Sequence, residues 1–503
     1  MNIKLLTKSF ALFLLGIFPF ATYAIDLYVD KDTQQIFAAP GPNREKLGTF
    51  EKIEDINFLK AKLRQEIEAE IKSKTLDKEQ VNPQQAGSSA TLLAIEANKK
   101  VIQNDDKKSA KSGPLPADVS YGKNGFEFKT VNDKFALAIQ NRIQVRYAEP
   151  FDSDPRTLED FNRDESSFMV RRARTKINGH AYQPWIKFYL QYDWSQPVLR
   201  DLSLTIDKYK WAQLRVGRGK VNYNNERVAS SGNQQFVNRS IVNDIFTVDR
   251  QQGIELKGNI FPGTWHDFTY YAGAYTGMGI GERNNDDDSL MHSMRLQWNA
   301  MGGEMKSSQS DTDFLDYPAL NISFAANKNR SKCTAFETDS RSCRNLVDVE
   351  SDGSTRYLSP SKLSSEGGAR AGQYDITQMM SEVHFKWRGF SLLNEVHTKR
   401  INDTFREKET DLLGGFVQAG YFPHGLIKII PRETEVAFRY AMVDMDRDRS
   451  YDKQTEFSTV INHFFDGHFN KLSLQISRLT LEDPTRRERA DQNRLWAQWD
   501  FTF

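Results

Sequence analysis

The stretch FALAIQNRIQVRY (Phe135–Tyr147) decides the fold. Its odd positions are Phe135, Leu137, Ile139, Asn141, Ile143, Val145 and Tyr147, and its even positions include Gln140, Arg142, Gln144 and Arg146. Only an extended strand sends alternate residues to opposite faces. Thirteen residues is long for a soluble strand and suits a tilted strand that crosses a bilayer.

The alternation recurs along the chain. WIKFYLQYDW sets Ile186, Phe188, Leu190, Tyr192 and Trp194 against Lys187, Tyr189, Gln191 and Asp193. DLSLTID sets Leu202, Leu204 and Ile206 against Asp201, Ser203, Thr205 and Asp207. ETEVAFRYAM and FNKLSLQIS repeat it further on. Sixteen such strands can be marked from 135 to 503, an even number that lets an antiparallel sheet close with both ends on one side. The expected fold is therefore all-β: a 16-stranded antiparallel transmembrane β-barrel with a short N-terminal helical extension.

Loop lengths supply a second test. If the first strand runs outward, the outer connections include 148–166, 220–252, 277–289 and 329–373, whereas the inner ones are mostly short. Long loops on one side and short turns on the other is the arrangement of bacterial outer-membrane barrels. Two connections break the rule. SQPV is a short outer turn, and 301–318 is a long inner one, for which a misplaced strand is the one account the sequence offers.

The chain ends RLWAQWDFTF, with Leu495, Ala497, Trp499, Phe501 and Phe503 in one row. That row suits the lipid face of a closing strand, with its aromatics in an interfacial girdle. A terminal Phe after alternating aromatics also resembles the signal by which such barrels are handed to the barrel-assembly machinery, which makes Phe503 the expected contact. A large secreted β-sandwich is the rival fold. It does not use thirteen-residue strands or a wholly polar second face.

The first 24 residues carry Lys4, Lys8 and no acid, then the apolar run FALFLLGIFPF, then Thr22-Tyr23-Ala24. This is the layout of a secretory signal peptide with a small-residue cleavage site. No later stretch approaches the ~18 apolar residues of a spanning helix. Formal charge is +1, and −1 without Lys4 and Lys8, which gives no reason to expect a nucleic-acid partner. Cys333 and Cys343 are the only cysteines and fall in the longest outer loop. In an oxidising compartment they are expected to form a local disulfide.

Residues 25–80 read as an N-terminal periplasmic segment. Ile53, Ile56, Leu59, Leu63, Ile67 and Ile71 recur there at helical spacing, which predicts a charged amphipathic helix that either tethers the barrel to cell-wall polymer or joins its trimer partners in a coiled coil. Residues 81–120 are polar and rich in Pro, Ser and Lys, as in a flexible linker. The barrel is expected over 121–503, in the outer membrane of a Gram-negative envelope and in contact with its lipid.

Residues opposite the apolar rows face the lumen, and a sixteen-strand barrel is wide enough for an aqueous channel. SFMVRRARTKING places Arg172, Arg174 and Lys176 there, beside Arg142 and Arg146 of the preceding strand. A column of cations offers a passing anion successive charge-assisted hydrogen bonds. The alternative is a weakly selective pore in which Asp193, Asp201, Asp207, Glu382, Glu395 and Glu435 balance them across the lumen. Loop 220–252 is far longer than a hairpin needs, and loops of that kind are usually functional. Folded inward, it would bring Arg227, Arg239, Asp244, Asp249 and Arg250 to a constriction; otherwise it is an external loop.

Nothing in the motifs asks for an enzyme, a cofactor or a metal. Gly-x-Ser-x-Gly and His-Glu-x-x-His do not occur, and the eight histidines are scattered. His384 and His397, on adjacent strands and facing inward, read as pore lining.

From Phe135 to Gly281 the chain resembles the phosphate-selective porin O and P family. The resemblance is carried by FMVRRARTKINGH, WIKFYLQYDW, LRDLSLTID, LRVGRGKVNY, FVNRS, VDRQQGIELKG and GAYTGMG, in that order. It implies a trimeric sixteen-strand outer-membrane porin that prefers anions such as phosphate. Carried over by position, it implies roles for Arg172, Arg174 and Lys220, and for Arg239 and Arg250 at the constriction. The chain departs from the pattern at Asn222-Tyr223, where Pro-Phe is expected.

Overall fold

The structure, a computed structural model, describes residues 25–30, 36–37, 44–50, 117–150, 158–162, 164–280, 284–305, 308–336, 369–484 and 486–503. The expected signal peptide, the amphipathic helix through Ile53 and Ile71, the linker up to 116, and Cys343 lie outside these residues. Two compact units divide the chain, Met1–Lys111 and Ser112–Phe503. In the first, β1 (Ile25–Asp30), β2 (Ile36–Phe37) and β3 (Arg44–Phe50) form an antiparallel sheet in the order β2-β1-β3.

The second unit opens with a hairpin that the sequence reading passes over, β4 (Ala117–Gly122) and β5 (Gly125–Thr130). The barrel wall follows. Its first half is β6 (Phe135–Glu149), β7 (Ser167–Ala181), β8 (Gln183–Asp193), β9 (Val198–Tyr209), β10 (Ala212–Lys220), β11 (Arg250–Ile260), β12 (Phe268–Tyr275) and β13 (Met291–Met301). Its second half is β14 (Ala319–Ser331), β15 (Tyr374–Trp387), β16 (Phe390–Asp403), β17 (Lys408–Tyr421), β18 (Thr434–Asp444), β19 (Lys453–Asp466), β20 (Asn470–Asp483) and β21 (Glu488–Thr502). Neighbours pair antiparallel throughout, and β21 pairs with β6 to close the barrel. The sixteen strands stand where the alternation predicts them.

One edge of β6 serves two partners end to end. Its later half pairs with β21, from Arg142 opposite Thr502 to Glu149 opposite Leu495. Its earlier half pairs with β5, from Phe126 opposite Ile139 to Lys129 opposite Ala136. Between them, Phe503 N–H donates to the Asn141 carbonyl over 2.8 Å. Gly125, at φ +86°, starts β5 so close to β6 that a Cβ would lie 2.1 Å from the Ile139 carbonyl oxygen.

The wall is apolar outside and polar inside, the inverse of a soluble protein and what lipid requires. Leu202, Leu204, Ile254, Phe324, Phe438, Leu474 and Trp499 are exposed on the outer face, while Arg142, Gln144, Glu395, Arg439, Ser473 and Asp500 are buried on the inner one.

The inner residues are buried because two segments enter the lumen from opposite mouths. Residues 221–249, between β10 and β11, come from the mouth with the long loops. The connection between β13 and β14, described over 302–305 and 308–318, comes from the other. The strands on either side of it are as expected, so its length reflects an insert and not a misplaced strand. Its Gln309, Ser310 and Asp311 are buried. Asp311 Oδ2 accepts the Gly389 N–H at 2.7 Å, which ties the insert to the two-residue turn between β15 and β16. Cys333 is disulfide-bonded, and the chain holds one other cysteine, Cys343.

Candidate functional site: a basic passage beside an inward loop

The inward loop carries two short helices, α1 (Asn225–Val228) and α2 (Ile241–Phe246). Ile241, Val242, Ile245 and Phe246 of α2 pack on Ile376, Leu393, Ile401, Leu412, Phe416, Val443 and Leu479 of the wall. Each fully buried apolar side chain of this kind stabilises by roughly 1.5–3 kcal/mol. Gly414 makes room for the Phe246 ring, whose Cε2 would lie 2.4 Å from a Cβ at that position. Wall side chains then satisfy the loop backbone, as buried carbonyls require. Lys399 Nζ donates to Ile245 O at 3.0 Å, Gln378 Nε2 to Phe246 O at 2.8 Å, and Lys471 Nζ to Gln234 O at 2.7 Å.

With these contacts the loop covers the wall from β15 to β20 and leaves open the side formed by β7–β11. A cavity of about 220 Å³ lies there, lined by Arg174, Lys176, Arg215, Lys220 and Arg250, with Asp201 as its one carboxylate. Tyr189, Gln191, Ser203, Asn222, Ser230 and Ser231 complete its polar lining. A second cavity, of about 700 Å³, shares Lys176 and Tyr189 with the first and extends down to the β5 residues Glu127 and Lys129.

The five cations are held differently. Arg174 Nε donates to Asp193 Oδ2 at 2.7 Å, and Arg250 reaches both Asp201 oxygens at 2.9 and 3.1 Å. Arg215 pairs with Glu255 at 3.0 Å. Lys176 Nζ instead donates to the neutral Gln140 Oε1 at 3.2 Å, and Lys220 Nζ to the Val228 and Ala229 carbonyls at 3.1 and 2.9 Å. Those two amino groups donate to dipoles, with Asp201 acting on both across the cavity.

Of the eight basic residues singled out in the sequence, Arg174, Lys176, Lys220 and Arg250 border the upper cavity. Arg142, Arg146 and Arg239 are instead covered by the loop or lie within it, and hold it. Arg142 donates to the Ser230 and Ser231 hydroxyls at 3.0 and 2.6 Å, and Arg146 to Asn238 Oδ1 at 2.8 Å and Val237 O at 3.1 Å. Arg239 donates to Glu226 O at 2.8 Å and Ala229 O at 3.0 Å. Arg172 is buried and donates to Gln144 Oε1 at 3.0 Å. Arg227 pairs with Asp249 inside the loop.

Arg215 was missed. In LRVGRGK its face reads Arg215, Gly217, Gly219, and Gly219, where a Cβ would lie 3.2 Å from Arg215 Nη1, leaves room for the guanidinium to fold back and donate to Lys220 O at 2.7 Å. An arginine followed by glycines on its own face is a signal the sequence did contain.

The acids divide in the same way. Glu382, Glu395 and Glu435 are at most 1 % exposed and accept hydrogen bonds from Asn225, Glu226 and Gln235 of the loop. Asp207, beside the lower cavity, pairs with Lys187. His384 and His397 face inward but lie under the loop, His397 stacked on Phe246. Within the loop, burial pushes the Glu226 carboxyl up to about 7 against the pull of Arg439. Burial also takes the Arg239 guanidinium well below its ordinary range.

Among solved structures, the chain is similar to a loop-deletion mutant of the outer-membrane protein OmpT of Vibrio cholerae (TM-score 0.47, 8 % identity, 74 % of this chain and 100 % of that one). It is similar to the anion-selective porin from Comamonas acidovorans (TM-score 0.46, 9 % identity, 73 % and 100 %). It is also similar to Salmonella typhi OmpF, solved with daunomycin (TM-score 0.45, 10 % identity, 75 % and 100 %). No curated protein matches its sequence. Residues 145–301, which hold the end of β6, the wall β7–β13 and the whole inward loop, match the family model described as Phosphate-selective porin O and P, so the stretch that lines the upper cavity carries the signature of that outer-membrane porin family.

Proposed function

We propose that this chain forms a water-filled outer-membrane channel that passes small hydrophilic solutes and prefers anions, phosphate among them. The long-loop mouth faces outward in this reading, and the N-terminal unit lies in the periplasm. One observation supports it above all: five cations and a single carboxylate line the upper cavity, and Lys176 and Lys220 donate only to neutral oxygens. In a confined site at low effective dielectric such charges act strongly on a passing ion. Assembly as a homotrimer belongs to the same reading.

Weak selectivity is favoured by a different observation: Arg174, Arg215 and Arg250 each have a carboxylate partner. The zero-current potential of the purified protein in a planar bilayer under a chloride gradient, repeated with added phosphate, separates the two. Strong anion selectivity with block by phosphate supports a specific anion channel. Weak selectivity with no block supports a general porin.

A further inference from the structure

Helix α1 is a single turn held at both ends by charge. At its start, the Asn225 N–H donates to Glu382 Oε2 at 2.8 Å and the Glu226 N–H to Glu395 Oε1 at 2.7 Å. Asn224 Nδ2 adds a bond to Glu395 Oε2 at 2.9 Å. At its end, Val228 O and Ala229 O accept from Lys220 Nζ, and Ala229 O also accepts from Arg239. Carboxylates at the N-terminus and cations at the C-terminus satisfy the orphan backbone groups and match the helix dipole.

Glu382 and Glu395 stand directly opposite each other on β15 and β16. Like charges in that relation are destabilising on their own. The groups around them are Arg295, which donates to Glu382 Oε1 at 2.9 Å, His397, 3.0 Å from Glu395 Oε2, the loop, and each other, since the two carboxyl groups share a hydrogen bond and hence a proton. Neither glutamate lines the cavity. They reach it through α1, whose far end holds Lys220.

We propose that Glu382 and Glu395 are positioning residues: through α1 they hold Lys220 and the inward loop where the passage needs them. The proposal rests on the anion reading above and predicts a sign opposite to that of simple electrostatics. Removing the negative charge of this pair from a channel wall should by itself raise anion preference. If the pair works through α1, the same removal frees the helix and Lys220, and anion preference falls.

The experiment compares single channels of wild type, E382Q/E395Q, N224A, K220A and the triple variant E382Q/E395Q/K220A under a chloride gradient. Only assembled channels are read, so loss of folding does not mimic the effect. For E382Q/E395Q the expected anion-to-cation permeability ratio is about threefold lower than wild type. N224A, which leaves the wall carboxyl pair in place, moves the ratio the same way by less, and keeps the test open should the double variant not assemble. Adding K220A to E382Q/E395Q lowers the ratio no further. A ratio that rises or stays unchanged in E382Q/E395Q and N224A overturns the proposal, as does full additivity with K220A. A wild type without anion preference overturns the reading of the passage instead. The clamp is then read from open-channel conductance, and identical conductance in wild type and E382Q/E395Q overturns it.

Discussion

The Gln309 backbone N–H donates to the Asn233 carbonyl over 3.1 Å, and so joins two segments that enter the barrel from opposite mouths. Gln235 N–H returns a bond to Gln309 Oε1 at 3.0 Å. Ser310 Oγ and Gln235 Nε2 then meet on the same wall carboxylate, Glu435, at 2.8 and 2.6 Å. Neither insert spans the lumen alone; together they fill the side away from β7–β11.

Shortening the connection 302–318 to a two-residue turn, the length its neighbour between β15 and β16 already has, is therefore expected to open a second lane. Open-channel conductance should rise at least about twofold, since a sixteen-strand barrel is wide enough for an aqueous channel once its interior is cleared. The lane would be lined by a mixed set of charges, including Glu435 and Lys386, so anion preference should fall as conductance rises. Single-channel recording gives both numbers. A shortened variant with wild-type conductance would mean that the lumen is blocked elsewhere.

A small substitution tests the packing behind this. A Cβ at Gly420 would lie 2.0 Å from Gln235 Nε2 and 2.7 Å from Glu435 Oε1. G420V must therefore displace Gln235, and with it the bonds to Ser391 and Glu435. Overpacking and a stranded buried carboxylate together are expected to cost on the order of 2–4 kcal/mol. Reversible urea unfolding in detergent measures the loss. G415V is the control, because Gly415 points outward and a Cβ there meets no atom closer than 3.0 Å, the Glu395 carbonyl oxygen.

The strands were legible because a bilayer and a wet lumen impose a period of two on every one of them. The inserts were not, because nothing periodic marks a segment that folds into a lumen. A trace was present in rows expected to be polar. Leu393 and Ile401 share the inner row of β16 with Glu395, His397 and Lys399, and Phe416 sits inside on β17. Apolar residues in a wet row mark the place where something docks, and α2 docks there. The basic residues show the same limit. Arg142 and Arg146 read like Arg174 and Lys176, since all four face inward. Which of them the loop covers depends on its path, and strand alternation carries no information about that path. The hairpin β4–β5 escaped notice for a different reason: six-residue strands are too short to show a period against a polar linker.

Lys176 and Lys220, which among the described residues form no ion pair within 4.0 Å, give the most direct probe of the passage. K176A and K220A each remove a basic group that donates to neutral oxygens and shares the cavity with one carboxylate, Asp201. Each is expected to lower the anion-to-cation permeability ratio about two- to fivefold, as for one charge acting over several ångströms at an intermediate dielectric. R146A removes a charge that is sealed under the loop, and its main effect should be on stability. If K176A and R146A shift the ratio equally, the charges act through the field of the whole barrel and not through contact along the passage.

Acidity should act on the loop through Glu226. Its carboxyl accepts from the Ser240 N–H at 2.6 Å and the Ser240 hydroxyl at 2.8 Å, at the start of α2. Burial raises it from an ordinary 4.5 to about 7. A group raised on folding stabilises the folded form fully below its unfolded value, and that contribution is lost as pH climbs through the folded one. The docked loop should therefore be firmest below about pH 4.5 with respect to this group, and should weaken between there and about pH 7. A shift of this size corresponds to on the order of 3 kcal/mol. Open-channel noise, which reports loop motion, should increase across that window in wild type. In E226Q, which keeps an acceptor oxygen and cannot ionise, the noise should rise less over the same range. A wild-type trace already flat from pH 4.5 to 8 would show that Glu226 keeps one charge state throughout, and that the loop is held by α2 and the wall alone.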